Sequence, residues 1–159
     1  MMSAVPSLLL RRIRVAKERF LPFLRPADDN EALLRRHLRE GELYGLFCNK
    51  REAVSMAVVA DVGASFAAGG REAGLAPALA GLRVCECTLL VTASAFRGQG
   101  CGTQLLMRLC GLYDGAYDAM IVGTGGNAPH APFLRGALRF SSLLSARRLF
   151  YARVSAAVD

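Results

Sequence analysis

The stretch that most constrains the fold covers residues 84–112 and predicts a strand, a glycine-rich turn and a helix, in that order. Residues 84–92 are apolar, β-branched or cysteine apart from Glu86, and this composition is typical of a buried strand. Glycines then come close together, and apolar residues recur behind them at the spacing of one helix face: Gly98, Gly100 and Gly102, then Leu105, Leu106, Leu109 and Leu112.

The glycine-rich turn opens a helix N-terminus, and this arrangement predicts an anion site. Unpaired backbone N–H groups and the positive end of the helix dipole point outward there, and glycines let an anionic group come close to the backbone. The expected anion is a phosphate. A P-loop is excluded because no Gly-Lys-Ser/Thr follows, and a dinucleotide-binding fingerprint is excluded because the third glycine comes only two residues after the second.

The sequence Arg97-Gly98-Gln99-Gly100-Cys101-Gly102 resembles the Arg/Gln-x-x-Gly-x-Gly/Ala pyrophosphate loop of the GNAT acetyltransferases, which also follows a central strand and starts a helix. The resemblance continues over residues 84–150. Residues 119–122 are similar to the family's fifth strand, Thr124-Gly125-Gly126-Asn127 is similar to a turn after that strand, and residues 147–154 would be the closing strand.

The resemblance implies an α/β fold of the mixed α+β kind, namely a GNAT fold with a central, mixed, splayed sheet of six to seven strands flanked by helices. The front half agrees in the order of its predicted elements, which are a strand, a short helical turn, a helix and two strands joined by a hairpin turn: residues 9–15, 20–24, 32–41, 43–49 and 53–61. We expect one domain over residues 1–159. The Gly/Ala-rich segment 62–82 is predicted to be an inserted loop and is a departure from the family.

The family's co-substrate is acetyl-CoA, and the resemblance implies which residues would bind it. The backbone of three strand residues would pair with the pantetheine arm, the loop and first helical turn would hold the pyrophosphate, and one residue after the fifth strand would contact the pantetheine from the other side. These residues are Leu90, Val91 and Thr92; Arg97, Gly98, Gln99, Gly100, Cys101, Gly102 and Thr103; and Asn127.

The implied activity is an N-acetyltransferase in which a primary amine attacks acetyl-CoA directly in a ternary complex, with no metal and no covalent enzyme intermediate. The amine must be neutral to attack, so a base has to take its proton. Glu86 is the candidate base because it is the only acid on the central strand, where a carboxylate is costly unless it is hydrated or paired. A structural glutamate paired with a nearby arginine explains this residue equally well.

The family commonly has a tyrosine that protonates the CoA thiolate, and this chain has Arg135 at that position, five residues before Phe140. A guanidinium stays charged at neutral pH, so Arg135 would stabilise the thiolate as an ion instead of donating a proton. Two further departures are Arg139, which replaces the glycine that precedes the phenylalanine in the family, and the insertion 62–82. Together the three departures favour an alternative function. In that alternative the chain is a degenerate, CoA-binding, non-catalytic regulatory or interaction domain.

The net charge of +7, from 20 basic and 13 acidic residues, would steer polyanionic CoA toward its site. We expect a small-molecule amine or a protein amine as acceptor, and a homodimer is consistent with the family. Nucleic acid is disfavoured because no aromatic-interleaved basic motif is present. No apolar run reaches membrane-spanning length, and the five cysteines lack a disulfide-framework spacing, so we expect a cytoplasmic protein without a membrane partner.

Other polar residues have simpler interpretations. Cys85 and Cys87 lie far in sequence from the two histidines, which favours buried thiols over a metal site. His37 is predicted to be a surface or boundary residue without a catalytic role. Acidic residues around the first helices either attract a cationic amine or serve as helix caps: Asp28, Asp29, Glu31, Glu40 and Glu42.

Overall fold

The computed structural model describes residues 7–61, 83–124 and 148–153. These ranges contain one sheet with the strand order β1 to β6, and three α-helices. The strands are β1 Leu8–Ile13, β2 Glu42–Cys48, β3 Glu52–Asp61, β4 Val84–Thr92, β5 Ala119–Thr124 and β6 Arg148–Arg153; the helices are α1 Leu21–Leu24, α2 Glu31–Glu40 and α3 Cys101–Tyr113. β1 pairs with β2 in antiparallel fashion, whereas β5 is parallel to both β4 and β6. The sheet is therefore mixed, as predicted.

The chain divides into two compact units, which are described separately. The first consists of Met1–Val58 and Leu89–Leu105, and the second of Val59–Thr88 and Leu106–Asp159, as far as these ranges are described. The division does not test the single domain expected over residues 1–159, which stays a prediction. The inserted loop 62–82, Asn127 and Arg135 lie outside the described residues.

The core of the first unit joins α1 and α2 to one face of the sheet. α2 presents a narrow apolar stripe, and its two central leucines are almost fully buried. One cluster contains Ile13, Leu21, Leu24, Leu34, Leu38, Leu43, Phe47, Met56, Val58, Leu89 and Val91. Because this cluster includes residues near the end of β4, the hydrophobic effect ties that strand end to the front half of the chain.

Both ends of α2 are capped by side chains. The side-chain oxygen Oδ1 of Asn30 accepts a hydrogen bond from the Leu33 N–H at 3.2 Å, as an N-cap residue does. At the other end, the Lys17 ammonium donates to the carbonyls of Leu38 and Gly41 at 2.9 and 2.8 Å. The helix predicted over residues 32–41 is confirmed as α2, and Lys17 adds a cation where the helix dipole is negative.

The hairpin between β2 and β3 is confirmed and has a two-residue loop. Asn49 and Lys50 have positive φ values of 50° and 66°, and the Arg51 N–H donates to the Cys48 carbonyl at 3.1 Å. Left-handed backbone at both central positions gives the turn a twist that matches the twist of the flanking strands.

Two apolar residues near the ends of predicted elements are exposed. β1 ends at Ile13 rather than at residue 15, and Val15 is 78% exposed because Ala16 adopts a left-handed backbone with φ 50° that turns the chain away from the sheet. Leu112 is 57% exposed, so the buried stripe of α3 stops one turn earlier, at Leu109.

In the second unit, the start of β4 pairs with β5 in a register that runs from Val84 opposite Ala119 to Cys87 opposite Val122. The turn before β5 is held by side chains. Asp118 accepts from the Arg83 backbone N–H at 2.9 Å and from its guanidinium at 3.2 Å, and the Tyr117 hydroxyl donates to Asp61 at 2.9 Å. Burial and this bond raise the pKa of Tyr117, so its hydroxyl stays protonated as a structural donor.

The Phe47 ring comes so close to the backbone of Gly45 that a larger residue would clash there, whereas Gly111 has open space around it. A Cβ added at Gly45 would lie 2.5 Å from Cε2 of the buried Phe47 ring, whereas a Cβ at Gly111 would meet no atom within 4 Å. We expect Gly45→Ala to lower the free energy of unfolding by about 1–3 kcal/mol through overpacking. Gly111→Ala should raise it by about 0.5–1 kcal/mol because Gly disfavours the helix interior. Urea denaturation measures both, and equal effects would contradict this packing.

Candidate functional site

The candidate site lies in the first unit, where β4 ends and the chain turns into α3. Three hydrogen bonds fasten this strand end to β3. The Ala93 N–H donates to the Val54 carbonyl at 2.8 Å, and the Ser55 hydroxyl oxygen lies 3.0 Å from both the Val91 carbonyl oxygen and the Thr92 hydroxyl. The last peptide units of β4 are therefore held in a fixed orientation.

This orientation decides which backbone groups face away from β3. Successive residues of a strand direct their backbone groups to opposite edges. Since the Val91 carbonyl and the Ala93 N–H are bonded to β3, the N–H and carbonyl of Thr92 point to the other edge, and those of Leu90 do so by the same alternation. We call this edge, defined by the backbone of Leu90 and Thr92, the far edge of β4.

The Arg97 side chain lies at the far edge of β4, since its Nε donates to the Thr92 carbonyl at 3.3 Å. Its side chain folds back from the turn over the strand end. No carboxylate among the described residues pairs with this exposed guanidinium, so its remaining donors are available to an anion.

The turn between β4 and α3 has the backbone that its glycines predict. It begins with a short 3-10 turn, Ser94–Phe96, and then passes through Gly98 and Gly100 with φ values of 75° and 78°. A Cβ at either glycine would meet no atom within 4 Å, so the backbone here is open to a ligand from outside. The Gln99 amide donates to the Ala95 carbonyl at 3.1 Å and holds the turn together.

The first turn of α3 supplies the N–H groups that the anion site requires. The first helical bond runs from the Gln104 N–H to the Gly100 carbonyl at 2.9 Å, which makes Gly100 the residue at which the helix begins. Within the described ranges, no protein acceptor faces the N–H groups of Cys101, Gly102 and Thr103. No acidic side chain lies in this first turn, so the positive end of the helix dipole is not neutralised locally.

Apart from Asn127, which lies outside the described residues, the predicted cofactor-binding residues therefore lie close together in sequence, from Leu90 to Thr103, in the first unit. Glu86 is placed on β4 in the second unit, and its side chain is half-buried. Burial alternates along the second half of β4, where Thr88, Leu90 and Thr92 are likewise half-buried. The role of Glu86 as a catalytic base stays a prediction, and so does its role as a structural glutamate paired with an arginine.

The glutamates around α2 are engaged by arginines. Glu42 pairs with Arg12 at 2.8 Å, and Glu40 pairs with Arg36 at 2.9 Å. Arg35 lies 2.8 Å from both Glu18 and Glu31, and the pKa of Glu31 is lowered, first by its hydrogen bond to Arg35. These pairs are surface-exposed and each contributes little stability, but they leave these carboxylates with a local structural role rather than open to a cationic amine.

The five cysteines are buried or half-buried. Burial raises the pKa of Cys101, which packs with Cys48 and Val54 in a small apolar cluster. In the second unit, burial raises the pKa of Cys85 to about 12 and that of Cys110 to about 11. Among the residues that the structure describes, no group of three metal-ligating side chains is placed to hold a metal ion.

Sequence analysis missed Ser55, whose side chain joins β3 to the end of β4. Ser55 is the sole hydroxyl residue within the apolar run of β3, and a polar residue in such a run is the signal that could have identified it. Its partners are 36 and 37 positions away, so nothing local in the sequence names them.

Several solved structures resemble this chain. A GNAT family acetyltransferase from Elizabethkingia anophelis with acetyl-CoA bound has a TM-score of 0.62 at 20% identity, and the match covers 81% of this chain and 72% of that one. An acetyltransferase from Bacillus subtilis in complex with CoA has a TM-score of 0.62 at 16% identity, over 82% and 74%. A ribosomal-protein-alanine N-acetyltransferase from Brucella melitensis has a TM-score of 0.54 at 15% identity, over 88% and 92%.

The chain has the GNAT fold. The predicted fold class is thus confirmed, and so is the resemblance on which it rested, at the level of the fold. No protein-family model and no curated protein matches the sequence. Within the described residues no helix is long and apolar enough to cross a membrane.

His37 on α2 gives a test of how the helix is buried. Burial lowers the pKa of His37 below its ordinary value of 6.5, an effect that Arg36 reinforces and that Glu40 and Asp28 oppose. Because the unfolded chain then binds the proton more readily, the stability that neutral His37 contributes is present above pH 6.5 and is lost as pH falls below it. The stability difference between wild type and His37→Gln should therefore shift against the wild type on acidification, as measured by urea denaturation. A difference that is constant with pH would contradict this burial.

Proposed function

We propose that this chain is an acetyl-CoA-dependent N-acetyltransferase that acts on a primary amine. The observation that carries the proposal is the site built from the far edge of β4, the turn through Gly98 and Gly100, and the N-terminus of α3. This site combines open N–H donors with an uncompensated arginine, and similar folds have been solved with acetyl-CoA or CoA bound.

In this proposal each part of the site binds one part of the co-substrate. The N–H groups of Cys101, Gly102 and Thr103 and the turn from Arg97 to Gly100 bind the pyrophosphate, because donors at a helix N-terminus favour anions. The backbone of Leu90 and Thr92 at the far edge pairs with the amides of the pantetheine arm, in the way that a further strand would pair. Asn127 completes the pantetheine contacts.

The reaction proposed is direct transfer. Glu86 takes the proton from the acceptor ammonium, directly or through water, and the neutral amine attacks the thioester carbonyl. The carbon–sulfur bond breaks as the amide forms, the second proton of the attacking nitrogen passes to solvent water, and the CoA thiolate leaves with Arg135 as its counter-charge. A cysteine nucleophile is not proposed, since the raised pKa of Cys101 keeps that thiol protonated.

The acceptor class is an amine of a small molecule or of a protein. One of the similar structures is a ribosomal-protein-alanine N-acetyltransferase, and its name indicates a protein acceptor for that enzyme. The proposed location is the cytoplasm, and nucleic acid is not a proposed partner. A homodimer is the proposed assembly, which measurement of the mass in solution tests.

Arg97 provides the first test of the co-substrate site. We expect Arg97→Gln to weaken CoA binding about tenfold in calorimetric titration, because it removes a charged donor to phosphate. The matched control is Arg39→Gln, which removes the same charge from an exposed position on α2 and should leave the affinity unchanged. Equal weakening by both variants would assign the effect to net charge alone. Lack of CoA binding by the wild type would overturn the proposed function.

Glu86 provides the test of catalysis. We expect Glu86→Gln to lower kcat for an amine acceptor by about 10²–10⁴-fold while CoA affinity stays unchanged, because only proton removal is lost. Glu52→Gln, an exposed acid at the start of β3, is the control and should retain kcat. If the wild type binds CoA tightly yet transfers acetyl to no member of an amine panel, the chain is instead the non-catalytic CoA-binding domain.

A further inference from the structure

Ser55 is the one polar side chain that is fully buried in the described part of the chain, with 0% exposure. A buried hydroxyl is costly unless it is hydrogen-bonded, so its two partners account for its presence in an apolar strand. Its partners, Val91 and Thr92, are the last two residues of β4, where the candidate site begins.

The chemistry of the three oxygens fixes the direction of the hydrogen bonds. The Val91 carbonyl can only accept, so the Ser55 hydroxyl donates to it over 3.0 Å. Since Ser55 has one hydroxyl proton, the Thr92 hydroxyl must donate to the Ser55 oxygen over their 3.0 Å separation. The result is a directed chain from Thr92 through Ser55 to the Val91 carbonyl.

These hydrogen bonds orient the Thr92 N–H, which is a donor on the opposite edge of β4. The Val91 carbonyl and the Thr92 N–H belong to one planar peptide unit and point in opposite directions. Holding the carbonyl toward β3 therefore holds the Thr92 N–H toward the far edge. The next peptide unit is fixed independently at both ends, by the Val54 carbonyl on one side and by Arg97 on the other.

We propose that Ser55 is a positioning residue for the acyl-CoA site, which orients the Thr92 N–H toward the pantetheine arm. The inference rests on the proposed function and adds a residue of β3 that does not itself reach the ligand. Without the hydroxyl, the Val91 carbonyl loses the bond from Ser55, and its peptide unit is held less firmly. The phosphate-binding turn and α3 are held by other bonds and keep their geometry.

The test compares two ligands by calorimetric titration: CoA, and 3′-phosphoadenosine 5′-diphosphate, which carries the phosphates but lacks the pantetheine arm. Ser55→Ala should weaken CoA binding about threefold to tenfold, the equivalent of one hydrogen bond, and leave the affinity for the fragment unchanged. Thr92→Val removes the other hydroxyl but keeps the bond from Ser55 to the Val91 carbonyl, so it should weaken CoA binding less than Ser55→Ala does, and the double variant should lose less than the product of the single losses.

Val58→Ala is the control for general loosening of β3, since Val58 is fully buried on the same strand and takes no part in the two hydrogen bonds of Ser55. It should lower thermal stability and leave both affinities unchanged. The proposal is overturned if Ser55→Ala and Thr92→Val change neither affinity, or weaken both ligands equally, or match Val58→Ala. A wild type that binds neither ligand refutes the proposed function itself, whereas a wild type that binds both, with no such difference, refutes only the role of Ser55.

Discussion

The attachment of the end of β4 to β3 is the constraint on which the rest of the site depends. The bond from the Ala93 N–H to the Val54 carbonyl and the contacts of Ser55 fix the last peptide units of the strand. Because the chain turns directly from this point into α3, the anchored strand end also determines where the open N–H groups of the helix begin. Backbone donors that are fixed before a ligand arrives lose little entropy when they bind it.

The distribution of charge in the first unit supports the same location for an anion. Most acidic residues around α2 are engaged by neighbouring arginines, whereas Arg97 donates only to a backbone carbonyl among the described residues. A positive group beside a helix N-terminus, with no acid in the first helical turn, is complementary to a polyanionic ligand. The net charge of +7 strengthens the attraction at long range and weakens with added salt.

The features predictable from the sequence are those that depend on neighbouring residues. The strand over residues 84–92 and the left-handed positions at Gly98 and Gly100 follow from composition and glycine conformation within a few positions. The end of the first strand was predicted two residues too late, at Val15, because the turn at Ala16 has no glycine to signal it. The link from Ser55 to Thr92 could not be predicted, since it depends on how two strands 37 positions apart are aligned.

The most direct test of the account is an amide-resolved NMR titration of the protein with CoA. We predict that the largest changes in chemical shift occur at the N–H groups of Thr92, Cys101, Gly102 and Thr103, since these donors face the proposed ligand. Amides on α2, which lies outside the site, should shift little. Saturating CoA that leaves these four amides unchanged, or that shifts the amides of α2 instead, would contradict the central claim.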